Sequence, residues 1–282
     1  MHSHWTVTES AETPKAEGCS EDRLVVRHDR DELALLAVLD GATDKSGRDY
    51  GGRTGGALAA DTAVHTLTGI PVTTEPGDLV TALTTGLADM RTTWGIAPDD
   101  VLAPSAVAAV FLPAQRCIVR VGDVHLALRT GDTWEHRPAQ KAIDTITASA
   151  RAAYLTMLRL AGVPVDQLST DDAGRKVILP LLEQQNILAN RDDHPLAFGV
   201  LDGRPVPTRH IEVIEIGPGV TEIVIASDGY LSAAATLPEA EEQLRTSLAE
   251  DPLRIGRFPA TKGVAPGAAG FDDRTYARLV TP

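Results

Sequence analysis

Leu33-Ala34-Leu35-Leu36-Ala37-Val38-Leu39-Asp40-Gly41 is an unbroken apolar run that stops at an acid and a glycine. Such a run, with no polar alternation, predicts a strand buried on both faces. A carboxylate at the end of that strand is held rigidly, and the glycine leaves its own carbonyl open to close approach. The pair can serve as ligands for a hard cation. Asp-Gly is also among the commonest turn dipeptides, so taken alone the stretch is more simply a strand exit.

Upstream, Glu21-Asp22 precedes the short strand Leu24-Val25-Val26, and a turn at Asp29 to Asp31 makes a hairpin with the buried run. Downstream, Asp40 to Gly56 is glycine-rich loop, followed by a helix over Ala57 to Leu67. A second helix is expected from about Asp78 to Trp94, with Leu79, Leu83, Leu87 and Met90 on one face. Strands are expected at Ala106 to Leu112, Cys117 to Val121 and Val124 to Leu128. Helices over Ala142 to Leu160 and Ala173 to Leu188 are too few for an independent core, so residues 137–206 read as an insertion packed on the sheet. Strands return at Ile211 to Ile216 and at Ile223 to Ala226, which again runs into an acid and a glycine, Asp228-Gly229. A helix over Pro238 to Leu248, a long surface loop from Asp251 to Gly270 and a last strand, Thr275 to Val280, complete the chain.

Composition narrows the functions. The chain has 282 residues, 43% hydrophobic and 23% charged, as in an ordinary globular protein. A formal net charge of −13 argues against nucleic acid and against an anionic membrane surface as partners. Two cysteines, Cys19 and Cys117, allow neither a disulfide framework nor a four-cysteine zinc site, and a reducing cytoplasm is the expected location. The leader from Met1 to Gly18 is polar, without the apolar core of a signal peptide, and His2 and His4 read there as solvated. No stretch reaches the roughly 18 to 20 apolar residues that would cross a membrane.

The informative pattern is repetition. Asp40-Gly41 and Asp228-Gly229 each close an apolar run, Glu21-Asp22 and Asp272-Asp273 each open a strand, and Gly122-Asp123 interrupts a strand pair. Carboxylates gathered at one sheet rim would either take up protons or hold a cation. All-oxygen ligation selects Mg(II) or Mn(II) over zinc. Two such ions about 4 Å apart can activate a bridging water and clamp a phosphoryl group.

The series Ser20-Glu21-Asp22, Val38-Leu39-Asp40-Gly41-Ala42, Val121-Gly122-Asp123, Ala226-Ser227-Asp228-Gly229 and Asp272-Asp273-Arg274-Thr275 resembles the metal-dependent PPM phosphatases, the protein phosphatase 2C-like family, of bacterial type. The resemblance spans about Thr13 to Val280, and the motifs are short but fall in the family's order. It implies an α+β fold, two packed antiparallel β-sheets flanked by helices (an αββα sandwich), forming one phosphatase domain over residues 1–282 with a helical insertion or flap at about 137–206.

The resemblance also implies roles. Asp40 would bridge two Mg(II) or Mn(II) ions, and the Gly41 carbonyl would bind one of them. Asp228 and Asp272 would complete the other ion's shell, with Asp273 the alternative to Asp272. Glu21 and Asp22 would serve the first ion directly or through water, and Asp123 would support a third, looser ion. The nucleophile would be metal-bound water, so Asp40 and Asp228 would act in catalysis through it. The family's substrates are phosphate monoesters, mostly phosphoserine and phosphothreonine in proteins.

Some features depart from the family. Glu17 stands where the family usually has a phosphate-binding arginine, and Lys15 is a candidate replacement or simply a solvated leader lysine. Residues 137–206 are either a structural insertion or a lid that reshapes the pocket for a small phosphorylated metabolite. A PPM-like binding domain without activity is the remaining alternative. The glycines Gly51-Gly52 and Gly55-Gly56 fit no P-loop and are assigned to helix packing against a loop. Ser227 lacks a nucleophile elbow, and neither His125 nor His136 has triad spacing, so serine-hydrolase chemistry is rejected.

Overall fold

A computed structural model describes residues 4–16, 18, 20–43, 45–138, 140–264, 267–268 and 270–282. His2, Glu17 and Cys19, weighed above, lie outside the described residues. The strands are β1 (Thr6–Thr13), β2 (Arg23–Asp29), β3 (Glu32–Gly41), β4 (Ala106–Leu112), β5 (Cys117–Val121), β6 (His125–Thr130), β7 (Thr133–Arg137), β8 (Ile211–Glu215), β9 (Val220–Ala226) and β10 (Arg274–Val280). The helices are α1 (Gly55–Gly69), α2 (Pro76–Thr93), α3 (Ala142–Leu160), α4 (Val165–Thr170), α5 (Ala173–Gln184) and α6 (Leu237–Glu250).

Two five-stranded sheets form, in the orders β1-β10-β9-β6-β7 and β2-β3-β4-β5-β8. Every ladder between neighbouring strands is antiparallel. The apolar run of β3 is explained by its place. It is central in its sheet, with Leu35, Ala37 and Leu39 in the core under α1 and α2, and Leu36 and Val38 in the core between the sheets. Both faces are covered, so alternation would bury polar groups and none occurs. All five side chains are fully buried; each leucine or valine contributes about 1.5–3 kcal/mol by leaving water. On the other sheet's outer face, Tyr230, Ala233, Ala234, Ala240 and Tyr276 form the contact with α6. The result is helices, sheet, sheet, helix.

Four elements differ from the sequence reading, one of them α4, a short helix between α3 and α5. The polar leader contains β1, an edge strand paired along β10 from Thr6 opposite Val280 to Thr13 opposite Arg274. Its side chains alternate between exposed and half-buried, and Val7 and Ala11 are its only apolar residues, so it carries no hydrophobic signal. Trp5, just before it, is buried edge-on against Phe111 with ring centroids 5.3 Å apart. Another omission is β7, an edge strand beside β6.

The last difference is the stretch after α6, which is more than a surface loop: Asp251, Leu253 and Arg254 are buried. Polar contacts organise it in place of periodic apolar residues. The Asp251 carboxylate accepts from the N–H groups of Ile255 (3.0 Å), Gly256 (2.7 Å) and Phe258 (3.1 Å). Arg151 of α3 donates to the carbonyls of Leu253, Arg254 and Ala260 at 3.0–3.1 Å. Leu155, Leu168 and Leu253 then make a small core joining α3, α4 and this loop. Gly174 lets α5 close on α3, since a Cβ there would lie 2.7 Å from Leu155 Cγ.

Candidate active site

The two sheets deliver their acids to one rim through strand ends. Asp40 is the penultimate residue of β3, opposite Val107, and Asp228 follows the end of β9. Asp22 stands one residue before β2, Asp272 and Asp273 immediately before β10, and Asp123 in the turn after β5. That turn needs Gly122 at φ +90°, a conformation glycine adopts without steric cost.

Close backbone approach fixes both Asp-Gly pairs. A Cβ on Gly41 would lie 2.4 Å from the Gly56 carbonyl oxygen, and one on Gly56 would lie 2.8 Å from Glu21 Oε1. Gly55-Gly56 therefore packs the start of α1 against the loop beneath it. A Cβ on Gly229 would lie 1.9 Å from the Asp273 carbonyl oxygen. Gly229→Ala should push Asp228 away from Asp272-Asp273 and destabilise the fold by about 1–3 kcal/mol, as overpacking does. A denaturant titration unchanged from wild type would contradict this contact.

Hydrogen bonds then orient the carboxylates. Ser227 Oγ, fully buried, donates to Asp22 Oδ2 at 2.6 Å and accepts from the Thr275 N–H at 2.9 Å. Asp273 accepts from the Lys15 N–H at 2.7 Å and the Glu21 N–H at 3.0 Å, tying the segment before β2 to the start of β10. Glu21 Oε2 accepts from Lys15 Nζ at 3.0 Å and Thr43 Oγ1 at 3.1 Å, while its Oε1 is buried with no hydrogen-bond partner.

The acids divide into two electrostatic groups. Burial, and then the charges of Asp22, Asp228, Asp272 and Asp123, hold the Asp40 carboxyl well above the usual carboxylate range. Burial pushes Asp22 up to about 7, with repulsion from Asp272 and Asp228 adding and the Ser227 hydroxyl opposing. Asp228 also rises to about 7 through burial, Asp123 and Asp272, against Lys141 and a hydrogen bond with Asp40. These three act on one another electrostatically, and each binds a proton more tightly than a free carboxyl does.

The others are matched by lysines. Lys141 Nζ lies 2.9 Å from Asp123, and Lys262 Nζ lies 2.5 Å from Asp272. Lys15 Nζ lies 3.0 Å from Glu21, 3.1 Å from Asp273 and 3.4 Å from Asp272. Burial would raise Asp272, but Lys262 and Lys15 outweigh it and hold its carboxyl low. Lys15 is thus a counter-ion to three acids, and it does not line the cleft that Asp40, Asp123, Asp228 and Asp272 line. The cleft holds about 130 Å³.

This donor set suits a hard divalent cation. It offers carboxylate and carbonyl oxygens without thiol or imidazole. Glu21 Oε1 lacks any partner, and Asp22, Asp40 and Asp228 bind protons more tightly than free carboxyls do, which a cation would compete with. Among the described residues, no three such groups already converge in ligating geometry; lysines neutralise the outer acids instead.

A pH dependence follows for the metal-free chain. Asp22 and Asp228 bind protons more tightly in the folded chain, at about 7, than in the unfolded chain, at the ordinary carboxylate value of 3.8. Their contribution to stability is complete below about pH 4 and is lost as the pH rises through 7, with a slope of up to about 1.4 kcal/mol per pH unit per group. In chelator, wild type should lose more melting temperature between pH 5 and 7.5 than Asp228→Asn does. Parallel losses would contradict the raised values.

Sequence reasoning missed Ser227 as the support of Asp22, and the lysines Lys141 and Lys262. Neither lysine sits in a local motif. The contact from Ser227 to Asp22 spans 205 residues of sequence.

No protein-family model matches the chain, and no curated protein matches it. Solved structures do. The chain superposes on the catalytic domain of the serine/threonine protein phosphatase PstP in complex with two manganese ions, with a TM-score of 0.51 and 15% identity, covering 98% of each chain. PppA, a regulatory component of the type VI secretion system in Pseudomonas aeruginosa, matches at TM-score 0.51 and 15% identity over 99% of each chain. The serine/threonine phosphatase Stp1 from Staphylococcus aureus matches at TM-score 0.50 and 12% identity, over 100% of this chain and 97% of that one. At such identities the likeness is one of fold. The fold is that of the bacterial PPM-type serine/threonine phosphatases.

Proposed function

We propose that the chain is a Mg(II)- or Mn(II)-dependent phosphomonoesterase acting on phosphoserine and phosphothreonine in proteins. The observation that carries this reading is the gathering of Asp22, Asp40 and Asp228, each with a raised pKa, at the strand ends of a PPM-type fold. The two manganese ions of the similar PstP structure agree with it. Bound divalent ions would supply acidified water and Lewis-acid stabilisation of the phosphoryl oxygens.

The chain's own residues would divide the work as follows. Asp40 and the Gly41 carbonyl would hold the ion pair from the β3 end, and Asp228 and Asp272 from the other sheet. Ser227 keeps Asp22 oriented with its hydroxyl, and Glu21 has a free buried oxygen to offer. Asp273 is committed to two backbone N–H groups, which favours Asp272 as the ligand. Asp123 would support a third, looser ion. In the metal-free chain, Asp40 and Asp228 share a hydrogen bond, and loading would release its proton. Lys15 is better assigned to charge balance than to phosphate.

A second reading, hydrolysis of a small phosphorylated metabolite, is favoured by the wall that Arg175, Leu182, Gln185 and Asn186 raise along the cleft. The lysine counter-ions favour a third, a binding domain without activity. Mn(II)-stimulated hydrolysis of an aryl phosphate, with a chelator control, separates activity from its absence. Turnover that appears with Mn(II) and vanishes with chelator is expected; none under either condition would sink the enzyme reading. A panel of phosphopeptides and phosphorylated metabolites then separates the first two.

A further inference from the structure

The cleft carries a second cluster of opposite sign. Lys45, in the loop after β3, and Arg175, in the first turn of α5, line the same cavity as Asp40 and Asp228, together with Lys141 and Lys262. The four cations are not equivalent. Lys141 and Lys262 each hold an acid, Asp123 and Asp272. Among the described residues, Lys45 Nζ donates to its own loop, at the Thr43 carbonyl (3.1 Å), and Arg175 donates from its guanidinium to the Thr261 carbonyl at 2.9 Å.

Among the described residues, neither has a carboxylate within salt-bridge distance, in a chain of net charge −13. The acids that act on them through space, Asp144, Asp172 and Asp272, are already engaged. Asp144, which acts on Lys45 through space, accepts from Gln185 Nε2 at 3.0 Å. Asp172 caps α5 through the Arg175 N–H and is clamped by Arg151 at 2.7 Å. Burial, then Arg175 and Lys141, hold the Lys45 ammonium below its usual range. Half-buried cations that repel one another and lack counter-ions are costly unless an anion joins them.

We propose that Lys45 and Arg175 form the anion subsite of this cleft, holding a phosphate dianion between a loop ammonium and a helix guanidinium. The guanidinium offers a planar fork that matches two phosphate oxygens, and the ammonium adds a point charge. Arg175 belongs to the helical segment that the sequence reading set apart as insertion or lid, and the subsite gives that segment a role. The identity of the anion as a phosphomonoester rests on the proposed function; the existence of the subsite does not.

The test is calorimetric titration of inorganic phosphate, with and without Mn(II), into wild type, Lys45→Gln, Arg175→Gln, Arg175→Lys and Lys176→Gln. Lys176 is exposed and paired with Asp171 outside the cleft, and serves to control for net charge. Lys45→Gln and Arg175→Gln should each weaken phosphate by about 10- to 100-fold, the worth of one charge-assisted hydrogen bond. Arg175→Lys should fall between Arg175→Gln and wild type, and Lys176→Gln should bind as wild type does. Thermal melts check that each variant is folded, and Arg175→Lys stands in if Arg175→Gln is not.

No saturable phosphate binding to wild type in either condition overturns the subsite. So does unchanged affinity in both Lys45→Gln and Arg175→Gln. If aryl phosphate is never turned over while the two variants still lose phosphate, the phosphatase reading fails and the subsite stands. If wild type turns over and both variants keep its KM and its phosphate affinity, the reverse holds.

Discussion

Asp40→Asn should lose metal-dependent turnover by ~100-fold or more, exceeding the 10- to 100-fold typical of residues that only support metal ligands. The metal-free variant should nevertheless melt no lower than wild type at pH 7.5. The two expectations have one cause. Asp40 is held above the usual carboxylate range by burial and by Asp22, Asp228, Asp272 and Asp123, so its ionisation opposes folding unless a cation is present. An amide of the same shape removes that charge and with it the ligand proposed for the cations. Activity should be assayed with an aryl phosphate under saturating Mn(II), and stability by thermal melts in chelator. Full activity in the variant would remove Asp40 from the site. A melting temperature lowered by several degrees would make Asp40 a structural residue.

Arg151→Ala should cost about 3–5 kcal/mol, the range for breaking a buried ion pair by removing one partner. Arg151 is 1% exposed and meets Asp172 at 2.7 Å and the carbonyls of Leu253, Arg254 and Ala260 at 3.0–3.1 Å. Alanine would strand the carboxylate and three acceptors together. For a chain of this size, 1 kcal/mol is worth about 2–4 °C, so the melting temperature should fall by roughly 10 °C. Asp172 also caps α5 and accepts from the Gly263 N–H at 3.2 Å. The loss should therefore loosen the cleft wall that carries Arg175, Thr261 and Lys262 and raise KM for an aryl phosphate. Arg151→Lys keeps the charge without the fork and should fall between the two. A melt within 2 °C of wild type would show that the loop after α6 does not depend on this clamp.

The parts of the fold legible in the sequence are those whose burial is written in consecutive residues. Leu33 to Leu39, Ala106 to Leu112 and Ile223 to Ala226 are central strands covered on both faces, and they read as unbroken apolar runs. Because such runs are commonest in parallel sheets, the antiparallel sandwich follows from the resemblance and not from the pattern. β1 was illegible for the opposite reason. An edge strand whose half-buried face mixes Val7 and Ala11 with Glu9 and Thr13 has no hydrophobic period to detect.

The candidate site shows the same division. Its acids announce themselves by standing where strands begin and end, and Asp40, Asp123, Asp228 and Asp272 meet at one cleft. Lys15 has two readings in the sequence, phosphate holder or solvated leader residue, and the structure sets it against Asp272 and Asp273. Those partners lie more than 250 residues away in sequence, so nothing local to the lysine could reveal them. Lys45, Lys141, Arg175 and Lys262 come from a loop, the residue before a helix, a helix and a second loop, and only tertiary structure places them along one cavity.

The proposed site exchanges carboxyl protons for divalent cations. Calorimetric titration of Mn(II) into the metal-free chain at pH 7.5, repeated in buffers of different ionisation enthalpy, tests it most directly. Saturable binding is expected, with an apparent enthalpy that changes with the buffer. Asp40, held well above the carboxylate range, gives up its proton as the cation enters, with a smaller share from Asp22 and Asp228 at about 7. Binding should be abolished or greatly weakened in Asp40→Asn. No saturable heat for Mn(II) or Mg(II), or wild-type binding in that variant, would contradict it.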